Sequence, residues 1–248
     1  MTRLADTAWP EASRLAHGGA VLVVPVGACE QHGPHLPVTT DADLAVAVAE
    51  GAAEHDPLLV VAPVVAYGSS GEHDGFAGTL SLGREATERL LVELGRSATG
   101  DFAHVVFACA HGGNAVPLRR ALDRLCAEGR SVTGWWPRWG GDLHAGRIET
   151  SLMLAVAPDR VRVGAAVPGD TRPLHELLPL LEAGGVRSVS PNGVLGDPTG
   201  AGAEEGRRLL REAAADLART AARLRSGTPG AGRRAHVAHD DETSGVRT

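Results

Sequence analysis

Residues 21–27 read VLVVPVG, an almost unbroken apolar run that ends in glycine and leads directly into the polar segment CEQHGPH at 29–35. Apolar runs of this length, bounded by turn residues, are typical of strands buried on both faces of a sheet. Three further runs share this character: 58–66 (LLVVAPVVA), 104–110 (HVVFACA) and a weaker one at 131–136 (SVTGWW). Longer amphipathic stretches separate these runs, and the alternation predicts an α/β fold with a mostly parallel sheet covered by helices.

Six amphipathic stretches are predicted to form the covering helices. In one of them Leu90, Leu91 and Leu94 fall on a single face at helical spacing. The predicted helices span residues 41–54, 85–98, 115–127, 149–157, 172–183 and 203–224. After them the sequence becomes rich in Gly, Ser, Arg and Asp, so we predict a single domain at 1–225 and a flexible tail at 226–248.

The composition excludes several classes of function. The chain has 248 residues, a formal net charge of -6 and no lysine, so all its fixed positive side chains are arginines. Schiff-base chemistry and a P-loop lysine are therefore excluded, and the acidic balance argues against a nucleic-acid-binding protein. Three cysteines without CxxC spacing, no signal-like segment and no membrane-spanning apolar run predict a cytoplasmic protein without membrane contact.

A first group of candidate metal ligands follows the run at 21–27. Glu30 and His32 are two residues apart, so an extended backbone points both side chains in the same direction. Asp41 stands where the next helix is predicted to begin, and either caps that helix or faces the pocket. Because ligands enter α/β sheets at the carboxyl ends of strands, this position favours a functional site.

Two further groups follow later in the chain. His111 comes directly after the run at 104–110, and the glycines after it allow the backbone to approach a ligand closely. His144 precedes a predicted helix, and Glu149 falls in that helix's first turn, where a carboxylate is also favourable for the helix dipole alone. The sequence therefore offers candidate ligands of two kinds, imidazole and carboxylate, after several strands.

Together these groups exceed what one catalytic zinc ion requires. Such an ion takes three protein ligands and keeps one position open. The five candidates instead suit two divalent ions, and mixed nitrogen and oxygen ligands favour Zn, Mn or Fe(II). Two such ions activate water and polarise a carbonyl group, which predicts a hydrolase. The candidate ligands are Glu30, His32, Asp41, His111 and Glu149.

Four motifs in this order resemble the creatininase (creatinine amidohydrolase) family over about residues 21–210. The resemblance implies a three-layer α/β/α sandwich, a dinuclear metal site and a homo-oligomer. The motifs are EQHGPHLP at 30–37 with Asp41, YGSSGEHDGFAGTLSL at 67–82, HGGN at 111–114 and HAGRIETS at 144–151.

The resemblance also implies roles for individual residues. One ion is expected at Glu30, Asp41 and His111, and the other at His32 with Asp41, which bridges the two. Creatininase has a glutamate where this chain has Gly113. The carboxylate that resembles its substitute is Glu149, which is therefore expected as both a metal ligand and a catalytic residue.

A peptidase branch of the family has the most similar motifs. His144 is expected to contact substrate and carry a proton during catalysis. Ser70, Glu72, His73 and Gly112 are expected to bind substrate. The resemblance implies a metal-dependent hydrolase that cleaves a small ribosomally synthesised precursor peptide and releases its modified C-terminal Val-Tyr dipeptide.

Alternatives remain open at this point. One is a creatininase-like amidohydrolase that acts on a small cyclic amide or a formamide, and another is a metal-stabilised peptide-binding protein without catalysis. Trp135, Trp136 and Trp139 either line an apolar pocket or pack in the core or an interface.

Overall fold

The apolar run that starts at Val21 forms the central strand of the sheet. The computed structural model describes residues 1–227, so the predicted tail lies outside the described residues except for its first two positions. Within the described chain, five parallel strands form one sheet in the order β1-β3-β2-β4-β5. They are β1 (Thr2–Arg3), β2 (Val21–Val26), β3 (Leu59–Val61), β4 (His104–Cys109) and β5 (Val132–Trp135).

Helices lie on both faces of this sheet. They are α1 (Trp9–His17), α2 (Thr40–His55), α3 (Gly83–Ala98), α4 (Ala115–Ala127), α5 (Arg147–Val156), α6 (Leu174–Val189) and α7 (Ala203–Arg225). Among residues 1–227, no helix combines the length and the apolar character needed to cross a bilayer.

The two faces of the sheet bury different sets of side chains. Along β2, Leu22 and Val24 point into one core cluster, whereas Val21 and Val23 point into the other, as the pleat of a strand requires. Helices α1, α3 and α4 pack against the first face, while α2 and α7 cover the second and α5 packs against α7. The α/β prediction is confirmed, as a three-layer α/β/α sandwich.

The second predicted strand is wrong in its length. Residues 58–66 were expected to form one strand, but β3 ends at Val61 and only an isolated bridge joins Val65 to Val26. Pro63 explains the difference because it has no N–H group for the ladder. The main chain nevertheless continues alongside β2, since the Val65 N–H donates to the Pro25 carbonyl at 2.9 Å.

The sequence pattern also missed three features. The strand β1 has two residues and helix α1 has nine, both too short for a clear periodic signal. The predicted helix end at Ala183 lies next to a break in α6 at Gly185 (φ 66°), and the pattern missed the second helical segment, which continues from there to Val189. A glycine pair is a common helix terminus, and here the chain resumes its helix after one such residue.

The sheet topology places the candidate ligands at one edge. From β2 the chain moves to β3 on one side and then to β4 on the other, so the crevice between the carboxyl ends of β2 and β4 is a topological switch point. Glu30 follows β2, and His111 follows β4. The fold therefore brings the first two groups of candidate ligands to the same crevice.

A substitution at Gly27 tests how closely α2 packs against the end of β2. A Cβ at Gly27 would lie 2.8 Å from the carbonyl carbon of Asp41 and closer still to the backbone of Ala42. We expect Gly27→Ala to lower the free energy of unfolding by about 1–3 kcal/mol, because α2 has to move away from the sheet. Chemical denaturation measures this change.

Gly164→Ala is the matched control. Gly164 is exposed, and a Cβ there meets nothing within 4 Å. We expect that substitution to change the free energy of unfolding by less than about 0.5 kcal/mol. Equal effects of the two substitutions would contradict the close approach of α2 to β2.

Candidate metal centre

A buried cluster of carboxylates and imidazoles lies at the crevice between β2 and β4. Glu30 and His32 are fully buried, Asp41 is 2% exposed and His111 is 5% exposed. Asp41 sits in the first turn of α2, and its Oδ2 accepts no hydrogen bond from that helix. The sequence left two roles open for Asp41, and in the structure its side chain faces His32 and His111.

Asp41 lies between two histidines from different strand ends. Its Oδ1 is 3.5 Å from His32 Nε2, and its Oδ2 is 3.2 Å from His111 Nδ1. Glu30 Oε2 is 3.2 Å from His111 Nε2, and Glu149 Oε2 is 3.9 Å from His32 Nε2. The structure therefore brings together all five side chains that the sequence singled out as candidate ligands.

Backbone carbonyl groups determine the tautomers of the two candidate histidine ligands. His32 Nδ1 donates a hydrogen bond to the carbonyl oxygen of Glu30 at 3.1 Å, and His111 Nε2 donates to that of Ser69 at 2.9 Å. When the rings are neutral, the other ring nitrogens, His32 Nε2 and His111 Nδ1, carry lone pairs that face Asp41. Metal-binding histidines commonly have their second ring nitrogen held in this way.

Several buried polar atoms in the cluster make no hydrogen bond to any residue in 1–227. They are Glu30 Oε1 and Oε2, His32 Nε2 and Asp41 Oδ2. Buried carboxylates and imidazoles without partners are costly unless a cation compensates them. Lone pairs and carboxylate oxygens that face one another fit divalent metal ions of the Zn, Mn or Fe(II) type.

The electrostatics of the cluster agree with this assignment. Burial raises the pKa of Glu30 to about 8. Burial alone would lower the pKa values of His32 and His111, but the neighbouring carboxylates raise both to about 10. These two histidines in turn hold the pKa of Asp41 well below its usual range, against the effect of burial. Metal ions compete with protons at such sites, since they bind the deprotonated imidazole.

Three sets of side chains within 1–227 have ligand atoms that lie within 4.8 Å of one another. One is Glu30, Asp41 and His111, as expected for the first ion. A second combines His32 and Glu149 with His144, and a third combines Glu30, His73 and His144. The expected second site therefore has an additional neighbour, His144.

His144 is held at the edge of the cluster by main-chain bonds. It forms an antiparallel bridge with Leu195, and its Nε2 donates to the Gln31 carbonyl oxygen at 2.8 Å. The next residue, Ala145, has φ 54°, a left-handed conformation that is strained for a residue other than glycine. Its N–H donates to Glu149 Oε2 at 2.6 Å, so the loop and the first turn of α5 fix each other.

The four expected substrate contacts differ in accessibility. Ser70 and His73 are buried, whereas Glu72 borders an open cleft of about 460 Å³ between the turn Gly71–His73, the start of α3 and residues 181–185 of α6. A Cβ at Gly112 would meet nothing within 4 Å. Glu72 connects the cleft to the metal-ligand cluster, because its Oε1 is 3.9 Å from His111 Nε2.

Gly113, where creatininase has a glutamate, has no space for a side chain. A Cβ there would overlap Glu72 Oε1, His111 Nε2 and the carbonyl oxygen of Ser69. The carboxylate of Glu72 thus occupies the volume beside Gly113.

Sequence reasoning missed two residues that organise the site. Asn114 accepts a hydrogen bond from the Ser69 N–H at 2.8 Å and donates one to the Gly27 carbonyl at 2.9 Å, which ties three loops together. Gln31 is buried and contacts both His73 and His144. In the sequence, only their positions inside the motifs that contain the candidate ligands pointed to Gln31 and Asn114.

The three tryptophans pack against the core of the chain. Trp135 is buried between the sheet and α7, with its Nε1 donating to Asp216 at 2.9 Å. Trp136 and Trp139 are half-buried against the hydrophobic clusters. None of the three lines the cleft beside Glu72.

Comparison with known proteins assigns the family. The family model for creatininase, described as creatinine amidohydrolase, matches residues 5–221. The chain belongs to the creatininase family. The resemblance that the motifs indicated is therefore confirmed.

Two relatives share about half of their aligned residues with this chain. A protein of Mycolicibacterium smegmatis is 50% identical over 208 residues, which cover 81% of this chain and 84% of that protein. A protein of Mycobacterium ulcerans is 47% identical over 219 residues, covering 84% and 87%. Both are named mycofactocin precursor peptide peptidase.

Solved creatininase structures share the fold. A structure named "Creatininase Mn" superposes with a TM-score of 0.74 at 27% identity and covers 92% of this chain and 99% of that chain. A creatininase variant of Zn-Zn type has a TM-score of 0.71 at 28% identity, covering 92% and 98%. Creatininase structures thus occur with manganese or with zinc.

Removal of single carboxylates tests the metal centre. We expect Glu30→Gln and Asp41→Asn to weaken metal binding by more than the roughly 10- to 100-fold that loss of an outer-shell partner costs. Elemental analysis of protein purified without added metal, followed by zinc titration, measures the effect.

Asp43→Asn is the control for the charge change. Asp43 lies in the same helical turn as Asp41 but pairs with Arg160 at 2.7 Å on the surface. We expect metal content to stay at the wild-type value in that variant. Unchanged metal content in the Glu30 and Asp41 variants would contradict the assigned centre.

Proposed function

We propose that this creatininase-family hydrolase is a metal-dependent peptidase that acts on the mycofactocin precursor peptide and releases its modified C-terminal Val-Tyr dipeptide. The observation that carries the proposal is the buried set of carboxylates and histidines, beside which Glu72 borders a cleft. The names of the two relatives at 47% and 50% identity support this choice of substrate.

The proposed centre holds two divalent ions, of Zn, Fe(II) or Mn. Glu30, Asp41 and His111 would hold one, and His32, Asp41 and Glu149 the other, with Asp41 shared. When bound, such ions lower the pKa of water and polarise the carbonyl group of the scissile amide. The protein supplies a fixed, desolvated set of ligands, so little reorganisation is needed when substrate arrives.

His144 is the proposed proton carrier. Its Nε2–H is committed to the Gln31 carbonyl, so Nδ1 carries the lone pair, and this atom lies 3.8 Å from Glu30 Oε1. Burial and the nearby His32 lower the pKa of His144 well below its usual value, which keeps the resting ring neutral. We propose that Nδ1 accepts a proton as the amide is attacked and delivers it to the leaving amine nitrogen.

Glu149 is proposed to act at the same step. Burial raises the pKa of this carboxyl group, and its Oε2 lies beside His32 while accepting the Ala145 N–H. This position lets it orient the attacking water and keep the backbone next to His144 in place. In its second role, as a metal ligand, the Glu149 carboxylate would act beside His32 Nε2.

The substrate is proposed to lie in the cleft that Glu72 borders. Ser70 and Gly112 complete the proposed contact set, with Gly112 leaving space for a peptide main chain to approach. His73, which the sequence also offered as a contact, is buried with its two ring nitrogens facing Gln31 and Glu30. Glu72 stands between cleft and cluster, where it can accept a hydrogen bond from a substrate N–H.

We further propose that the chain forms a homo-oligomer, which analytical ultracentrifugation tests directly.

A substrate comparison separates this function from its alternatives. We expect zinc- or iron(II)-loaded protein to release the dipeptide from the modified precursor and to turn over creatinine and formamide substrates poorly or not at all. Mass spectrometry of the products measures this. Faster turnover of the small amides would favour a small-molecule amidohydrolase, and retention of intact precursor would favour a binding protein.

Substitution of His144 tests the proton-transfer role. We expect His144→Ala to lower kcat by about 100- to 10,000-fold, as for the loss of a general acid or base, while metal content is retained. The control is His175→Ala, since His175 is largely exposed on α6. Loss of a metal ion in the His144 variant would make His144 a ligand and contradict this role.

A further inference from the structure

Four buried histidines surround Glu30 and Asp41, and one of them is held differently from the rest. For His32, His111 and His144, a backbone carbonyl accepts one ring N–H, and for His111 this N–H also lies 3.2 Å from Glu30 Oε2. The lone pair of each ring therefore faces the cluster. His73 has Nδ1 turned instead toward the side-chain amide of Gln31, 2.9 Å away from Gln31 Nε2.

The orientation of the Gln31 amide is determined by two other contacts. Its Oε1 accepts the Gly33 N–H at 2.8 Å, and its Nε2 donates to the Gly193 carbonyl at 2.9 Å. A rotated amide would place an oxygen against the Gly193 carbonyl and an NH₂ group against the Gly33 N–H. The amide nitrogen therefore faces His73, and His73 Nδ1 must be the acceptor.

The two hydrogens of the amide have two acceptors, His73 Nδ1 and the Gly193 carbonyl. None remains for His144 Nε2, which lies 3.1 Å from Gln31 Nε2 but is itself a donor to the Gln31 carbonyl oxygen. A neutral His73 ring with an accepting Nδ1 has its hydrogen on Nε2. That nitrogen lies 3.2 Å from Glu30 Oε1.

We infer that Gln31 is a positioning residue that gives two histidines the same Nε2–H tautomer but turns opposite sides of their rings toward the cluster. Its backbone carbonyl gives His144 a lone pair facing the cluster, and its side-chain amide gives His73 an N–H facing Glu30. His73 then lies beside the Glu30 carboxylate as an outer partner with its N–H 3.2 Å from Oε1, and the set Glu30, His73 and His144 is not a third metal site. This inference rests on the proposed metal centre but not on the identity of the substrate.

The loop after α6 takes part in this arrangement. Gly193 has φ 83°, and a Cβ there would overlap the Gln31 side-chain amide. Gly193 lies 162 residues beyond Gln31, and its carbonyl is one of the two groups that orient the amide. The absence of a side chain at Gly193 is therefore required for the amide to sit where it does.

Nitrogen NMR of the histidine rings tests the inference directly. In protein labelled with ¹⁵N-histidine, long-range ¹H–¹⁵N spectra distinguish Nδ1–H from Nε2–H tautomers, and spectra of His73→Gln and His144→Gln assign the signals. We expect Nε2–H for His73 and for His144, with and without zinc. An Nδ1–H tautomer at His73 in the wild type would overturn the proposal.

Gln31→Glu provides a readout that a general structural role would not move. A carboxylate accepts rather than donates, so we expect His73 to change to the Nδ1–H tautomer, while His144 keeps its own because the backbone carbonyl is unchanged. His144 is thus an internal control within each spectrum. An unchanged His73, or a change in both rings together, would overturn the proposal.

Zinc affinity separates the possible roles of His73. The amide nitrogen of a glutamine can replace Nε2–H, whereas that of an asparagine falls short of it. We expect His73→Gln to bind zinc like the wild type and His73→Asn to bind it about 10- to 100-fold more weakly. Circular dichroism of the chelated proteins verifies that each variant is folded.

Equal losses of zinc affinity in the two His73 variants would make His73 a ligand and overturn the inference. Unchanged affinity in both would also overturn it, since Glu30 would then need no partner there. Neither the spectra nor the titrations use a peptide substrate. A failure of the proposed peptidase activity therefore leaves this test intact, and the reverse also holds.

Discussion

The need to compensate buried carboxylates governs the architecture of this site. Glu30 and Asp41 are almost completely removed from solvent, and an isolated carboxylate in such surroundings is very unfavourable. The chain surrounds them with imidazole rings that arrive from the ends of β2 and β4 and from the loop before α5. Each ring is oriented by a main-chain carbonyl or by a buried amide, so the cluster depends on the backbone as much as on its own charges.

Much of the fold could be predicted from the sequence because its strands are buried on both faces. The strand after Ala20 and the strand after Ala103 have almost no polar side chains, which makes them easy to recognise. The length of β3 was overestimated because the apolar pattern continues past Pro63, whereas the hydrogen-bond ladder does not. Helix α1 was missed because it has only nine residues, and the second half of α6 was missed because it follows a break at Gly185.

The candidate site was less completely accessible to sequence reasoning. Ionisable residues at strand ends gave a physical signal, and the family motifs gave their order along the chain. Gln31 and Asn114 carry no charge, so their roles arise only from where the fold places their amides. The role of His73 also depends on the fold, because its partner Gln31 precedes it by 42 residues and the Gln31 amide is oriented by the loop at Gly193.

The crowding around Gly113 has an evolutionary consequence. The volume beside this position already contains the carboxylate of Glu72, so a side chain there and the present placement of Glu72 exclude each other. A glutamate at that position therefore requires Glu72, the His111 ring and the main chain at Ser69 to shift together. The effect of a substitution at Gly113 then depends on the residue at position 72, which makes these two positions a natural pair for the study of epistasis within the family.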